Sequence, residues 1–233
     1  MAPGLRLRIQ TRRKAVVVER HSLYKRTNIE CWKCHSQPVF LPFCTQCHSL
    51  QDVPESASHF EVLGMIRRLI LDEAQLRRRF YDLSHKLHPD RFAQASDTEQ
   101  RHSLRWTTLV NRAYQILRDQ DMRTRYVIDL TRSTRATPAN KVPVGLAERY
   151  FELRELLSDP SGVEQMKSFR ADLVQELQTT KRSWQTLAQI WEGDQHNFDA
   201  TQKLEQYLHK KNYLESMISD LDKNLGVKGD TGH

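Results

Sequence analysis

The stretch Glu73-Ala-Gln-Leu-Arg-Arg-Arg-Phe-Tyr-Asp-Leu-Ser-His-Lys-Leu-His88-Pro89-Asp90 decides how the chain is read. Leu76, Phe80, Leu83 and Leu87 recur at steps of four, three and four, which sets them on one face of an α-helix. Asp72, just ahead, is a good N-cap, because its carboxylate accepts N–H groups that have no partner in the first turn. Arg77, Arg78, Arg79 and Lys86 fall on or beside the solvent faces, so the helix is basic where it is wet. Pro89 disfavours the α region for the residue before it and stops the helix at His88. His88 and Asp90 are thereby displayed at a rigid, exposed corner. Any proline can stop a helix among solvated charges, so the tripeptide takes its meaning from its neighbours.

Working outward, a second helical stripe runs through Leu109-Val110, Ala113-Tyr114 and Leu117. Upstream lies His59-Phe-Glu-Val-Leu-Gly64, and downstream Val110-Asn-Arg-Ala-Tyr-Gln-Ile-Leu117 is followed by Arg123-Thr-Arg-Tyr126. Together these pieces resemble a J domain over about residues 58–130. The resemblance implies an antiparallel helical finger whose basic face (Arg77, Arg78, Lys86) meets an acidic surface of a DnaK-type ATPase. His88, Pro89 and Asp90 would reach that partner's interdomain linker region. Arg91 stands where a lysine is usual, which keeps the charge, and Leu117-Arg-Asp-Gln-Asp121 lacks a proline that J domains often have.

All four cysteines lie in two Cys-x-x-Cys pairs, Cys31/Cys34 and Cys44/Cys47, nine residues apart. A two-residue gap lets both thiolates of a pair point at one ion, and two such knuckles complete a tetrahedral site. The expectation is one structural zinc held by Cys31, Cys34, Cys44 and Cys47, with His35 and His48 as bystanders. An iron site of the same S₄ geometry is the main alternative. Disulfides would need an oxidising compartment, for which there is no signal. A redox pair would want a βαβ context, which is absent.

The C-terminal part carries three apolar stripes: Leu146, Tyr150, Leu153, Leu157; then Met166, Phe169, Leu173, Leu177, Trp184, Leu187, Trp191; then Leu204, Tyr207, Leu208, Leu214, Ile218, Leu221, Leu225. Breaks at Asp159-Pro-Ser-Gly162 and Glu192-Gly-Asp194 separate them, which predicts an antiparallel three-helix bundle. The expected fold is therefore all-α: a J-domain hairpin and a C-terminal bundle, preceded by a small zinc knuckle. The domain plan is a basic disordered tail at 1–30, the knuckle at 31–54 and the J domain at 55–130. A linker at 131–143, the bundle at 144–226 and a disordered end at 227–233 complete it. No internal repeat is evident at this level, and no segment alternates as a strand apart from short pieces around the cysteines.

This order of parts, with no Gly/Phe-rich segment after the J domain, resembles HscB (Jac-type) co-chaperones, some of which carry a tetracysteine knuckle. Leu146-Ala-Glu-Arg-Tyr-Phe-Glu-Leu-Arg-Glu155 looks like the family's first bundle helix. The resemblance implies a non-enzymatic co-chaperone of iron–sulfur cluster biogenesis, with a DnaK/HscA-type ATPase and an IscU-type scaffold protein as partners. The scaffold would dock on Ala147, Phe151, Glu152 and Glu155, although Ala147 and Glu148 stand where bulkier apolar residues are common. Phe151 also lies one residue, about 100°, off the core stripe beside two carboxylates, the mark of a contact surface.

Charge and hydropathy exclude the main competitors. The net charge of +7 comes from Met1 to Arg26, which hold eight Lys/Arg and one acid; removing them leaves 28 basic and 28 acidic residues. A neutral body without a basic, aromatic-interleaved surface argues against a zinc-knuckle nucleic-acid binder. No apolar run approaches the roughly 20 residues a membrane helix needs. No nucleophile–base pairing or phosphate loop points to an enzyme. A generic J protein serving misfolded clients differs from the scaffold-specific reading by whether one defined partner binds the bundle. The expected compartment is the bacterial cytoplasm, with the mitochondrial matrix as the alternative that an Arg-rich tail allows.

Overall fold

Ser58, Asp72, Ser96 and Asn197 each turn a side-chain oxygen onto the third N–H beyond them, and a helix starts after each one. The computed structural model describes residues 30–37, 42–132, 144–159, 161–195 and 197–227. The basic tail, most of the linker and the C-terminal end fall outside the described residues apart from single flanking positions. The chain divides into two compact units, Met1–Gln51 and Asp52–His233. The first has no helix or strand among its described residues, only an isolated antiparallel bridge between Phe43 and Leu50.

Among its described residues the second unit is mainly α-helical and has no strand. Its elements are α1 (His59–Val62), α2 (Glu73–Leu87), α3 (Asp97–Arg118), α4 (Gln120–Arg132), α5 (Val144–Ser158), α6 (Val163–Gly193) and α7 (Phe198–Leu225). A 3₁₀ turn, Pro89–Phe92, follows α2. Helices α2 and α3 form the expected antiparallel finger. Its seam is Leu76, Leu83 and Leu87 against Ser103, Trp106, Val110, Ala113 and Leu117, and Phe80 stacks on Tyr114 with ring centroids 4.1 Å apart.

The missing proline between α3 and α4 has a substitute. Asp119 leaves helical geometry (φ −86°, ψ 129°) and its carboxylate accepts the Met122 N–H at 2.7 Å, ending one helix and capping the next. Arg123 and Tyr126 explain the quoted run in α4. Arg123 is buried and donates to the Leu69 and Leu117 carbonyls, while the Tyr126 hydroxyl accepts the His59 N–H at 2.9 Å.

One stripe requires correction. Tyr150 is 41% exposed and is not part of the bundle core. On a 3.6-residue helix the position between Leu146 and Leu153 can be i+3 or i+4, and here i+3 wins. Arg149 faces inward, its guanidinium 5.4 Å over the Phe169 ring and 3.4 Å from the Glu176 carboxylate. Tyr150 is left outside with Arg154 above its ring.

Helix α5 has only 15 residues, against 31 in α6 and 28 in α7, so it covers part of the hairpin. Its core contains Leu146, Leu153, Met166, Phe169, Leu173, Leu214, Met217 and Leu221. Further along, where α5 does not reach, the J part packs on the same hairpin. Trp184 Nε1 donates to Thr124 Oγ1 at 3.0 Å, Gln120 bonds the Tyr207 hydroxyl at 3.4 Å, and Lys211 pairs with Asp121. At the α6–α7 turn, Gln195 exchanges hydrogen bonds with Arg67, and Glu192 accepts the Ile70 N–H at 2.8 Å. The two helical parts thus share a core. Trp184→Ala is expected to cost about 3–5 kcal/mol, and a calorimetric scan is expected to show J part and bundle melting in one transition that moves down as a whole. Two separated transitions would mean the parts are independent.

Candidate functional site

Three places hold the chemistry expected from the sequence. At the first, His88 takes φ −60° and ψ 133°, the extended conformation that Pro89 imposes, and α2 stops at Leu87. The His88 ring caps the following turn, its Nδ1 accepting the Asp90 N–H at 3.3 Å with the Asp90 carboxylate 3.4 Å away. The rest of the His88 side chain is largely exposed. His88, Asp90 and Arg91 are exposed, as are Arg77, Arg78, Arg79, His85 and Lys86 along α2, where Lys86 pairs loosely with Asp82 at 3.8 Å. A fixed polar corner beyond a cationic helix face can recognise an acidic protein surface.

At the second place the four cysteines converge, with all four sulfurs within 4.8 Å of one another. The Cys31 and Cys47 sulfurs lie 3.6 Å apart and those of Cys34 and Cys44 3.7 Å apart. A tetrahedron with metal–sulfur bonds near 2.3 Å has edges of about 3.8 Å, so the residues fit an S₄ ion. A disulfide needs sulfurs about 2.05 Å apart, which none of these pairs approaches. Cys-x-x-Cys-His is also a haem-attachment pattern, but cysteines joined to a porphyrin edge would not gather around a single point.

The geometry also uncovers a repeat that the sequence reading missed: Cys31-Trp-Lys-Cys-His-Ser36 and Cys44-Thr-Gln-Cys-His-Ser49. Both knuckles fold alike. His35 (φ 58°) and His48 (φ 56°) take the left-handed conformation, which His tolerates better than most residues, and each N–H returns to the carbonyl of its knuckle's first cysteine at 3.0 Å. The histidines are turn formers rather than ligands.

Each serine cross-braces the pair. Ser36 Oγ lies 3.1 Å from Cys34 Sγ and 3.3 Å from Cys44 Sγ, and Ser49 Oγ lies 3.0 Å from Cys47 Sγ and 3.5 Å from Cys31 Sγ. Gln51 donates to the Ser49 oxygen at 2.8 Å, so the serine's own proton is directed at sulfur. At Cys31 burial opposes the charge, but the Ser49 hydroxyl and the Cys34 and Lys33 amides prevail and bring the thiol down to about 5. The Cys47 amide and then the Ser36 hydroxyl lower the Cys44 thiol. At Cys31 and Cys44 these donors favour the thiolate, the form that binds a metal. At Cys34 the Ser36 bonds are outweighed by burial and the neighbouring Cys47 and Cys31 sulfurs, which raise the thiol.

At the third place, on α5, Phe151 is 73% exposed with Glu152 and Glu155 exposed beside it and Ala147 half-buried. Phe151 is therefore not a core residue.

Known proteins resemble this chain in sequence and fold. A DnaJ domain model matches residues 58–126. The co-chaperone protein HscB homolog of Ralstonia nicotianae is 31% identical over 155 residues, 66% of this chain and 88% of that one. The iron–sulfur cluster co-chaperone protein HscB homolog of Arabidopsis thaliana is 26% identical over 63% of this chain and 58% of its own. Among solved structures, human co-chaperone protein HscB superposes with a TM-score of 0.64 at 23% identity, covering 84% of this chain and 98% of its own. A J part joined to an α-helical hairpin, matched along seven-eighths of a bacterial relative, leaves one conclusion: the chain belongs to the HscB family of J-domain co-chaperones.

Proposed function

We propose that this protein is a co-chaperone of iron–sulfur cluster assembly whose J part stimulates a DnaK/HscA-type ATPase and whose α5 face carries an IscU-type scaffold protein to it. The observation that supports the first half is the exposed His88-Pro89-Asp90 corner beyond the cationic face of Arg77, Arg78 and Lys86. Exposure of Phe151 beside Glu152 and Glu155 supports the second. The protein acts by contact and not by catalysis. Zinc is the metal that suits the cysteine cluster best, because four protein thiolates fill a tetrahedron and leave no open position for chemistry. The bacterial cytoplasm is the proposed compartment, with the mitochondrial matrix as the alternative. Affinity capture from the native host with mass spectrometry tests the whole reading, since ATPase and scaffold should be recovered together.

The scaffold half makes its own forecast. Truncating an exposed aromatic anchor at an interface costs 2 kcal/mol or more, about thirtyfold in affinity. Phe151→Ala should therefore lose about that much binding to an IscU-type scaffold in a titration while its melting temperature stays put. The double change Glu152→Lys with Glu155→Lys should mainly slow association with a basic partner surface. Unchanged affinity in both variants sinks the α5 assignment.

A further inference from the structure

Where α2 ends, its last carbonyls have no helical N–H within reach. One of them, the Leu87 C=O, takes two side-chain donors from α3: Ser103 Oγ at 2.7 Å and Thr107 Oγ1 at 3.1 Å. Ser103 has 0% exposure and sits in a seam otherwise built of Trp106, Val110, Ala113 and Leu117. One donor is enough to satisfy a buried carbonyl. Two donors, from successive turns of one helix, also fix its direction.

The far end of the corner is held from the same helix. Gln100 Nε2 donates to the Ala93 carbonyl at 3.3 Å and the Ala95 carbonyl at 3.0 Å. Gln100, Ser103 and Thr107 are spaced by three and four, so they line one face of α3. Between the two anchors, Pro89–Phe92 contains no buried residue. Pro89 and Phe92 are only partly buried, so the hydrogen bonds at the two ends are the firmest described restraints on where His88 and Asp90 point.

We propose that Ser103, Thr107 and Gln100 are positioning residues for ATPase stimulation, clamping the His88-Pro89-Asp90 corner in the geometry the partner reads. The proposal rests on the reading of the J part as an ATPase activator. It assigns the cationic α2 face to encounter and the clamped corner to productive contact, so the two should separate in a titration. Ser103 and Thr107 touch no partner in this scheme; they act through the Leu87 carbonyl.

The test uses the full chain and a bacterial DnaK-type ATPase in single-turnover ATP hydrolysis, titrating the co-chaperone. Ser103→Ala with Thr107→Val removes both hydroxyls at little change of shape. The maximal acceleration should fall about tenfold, since small misplacements of a contacting group are costly. The half-saturating concentration should stay within about twofold, because the charged face that governs encounter is intact. The hydroxyl-retaining Ser103→Thr and Thr107→Ser variants should keep near-normal acceleration. Amide exchange in residues 90–95 should quicken in the double variant while α5–α7 remain protected.

Unchanged exchange at the corner overturns the proposal. So does full maximal acceleration in the double variant, or equal loss in the hydroxyl-retaining variants. If the wild-type chain itself gives no acceleration, the ATPase reading fails, and the exchange result still decides whether the clamp orders the corner.

Discussion

His88→Gln is expected to leave the protein folded and to abolish the proposed stimulation of a DnaK-type ATPase. The side chain lies at an exposed helix end, and its described contacts are both with Asp90, the N–H at 3.3 Å and the carboxylate at 3.4 Å. Substitutions at such positions usually move stability by less than about 0.5 kcal/mol, so the melting curve should overlay that of the wild type. The loss lies in recognition: glutamine cannot present the ring nitrogen in the direction set by the Leu87 and Pro89 backbone. Asp90→Asn should behave in the same way. Arg78→Glu should instead weaken the complex in a manner that varies with ionic strength, because exposed charges are screened over about 8 Å at 0.15 M salt. Single-turnover ATP hydrolysis at saturating co-chaperone is the measurement. An accelerated rate with the His88→Gln protein would falsify the J-domain mechanism.

Chelation should unfold the first unit and leave the second standing. The knuckle's described apolar core is little more than Leu50 beneath two buried cysteines. Structural zinc supplies about 10–16 kcal/mol of apparent binding energy in comparable peptides, far beyond what so small a core contributes. The damage should stop near Gln51. Beyond it Asp52 is ion-paired with Arg105 on α3 at 2.6 Å, and Val53 is buried. Metal analysis should find one zinc per chain. After chelation, amide-exchange protection should be lost in the described residues of the first unit while the helical circular dichroism and its melt persist. Removing the bracing hydroxyls by Ser36→Ala with Ser49→Ala should weaken zinc about 10–100-fold in a chelator competition, the usual worth of outer-shell partners. A zinc-free protein that keeps the knuckle's exchange protection would show the metal to be dispensable.

The all-α plan, the J part and the metal cluster were legible in the linear chain for physical reasons. Periodic leucines, a proline that forces its predecessor out of the helix, and paired cysteines with a fixed gap are local constraints, each set within a few residues. The repeat Cys-x-x-Cys-His-Ser was equally present in the text. It passed unnoticed because two serines acquire meaning only when they lie against sulfur.

Other features depended on choices that local periodicity leaves open. A stripe of spacing 3.6 permits Arg149 or Tyr150 at the core of α5, and the nearby Phe169 ring and Glu176 carboxylate select the arginine. Ser103 looks like a misplaced polar residue until the Leu87 carbonyl is seen to need it.

By itself, then, the sequence determined the helical periodicity, where the first finger turns, which four sulfurs meet and that Phe151 stands off the α5 core, but not that Tyr150 does so too. Only the tertiary structure decided that α4 of the J part closes the α6–α7 hairpin beyond the reach of α5, through Trp184, Tyr207 and Lys211. Such pairings lie 60 to 90 residues apart along the chain. Helix periodicity identifies an apolar face but not its partner, and that partner is selected by the shape and hydrogen bonds of surfaces that exist only once the helices have formed.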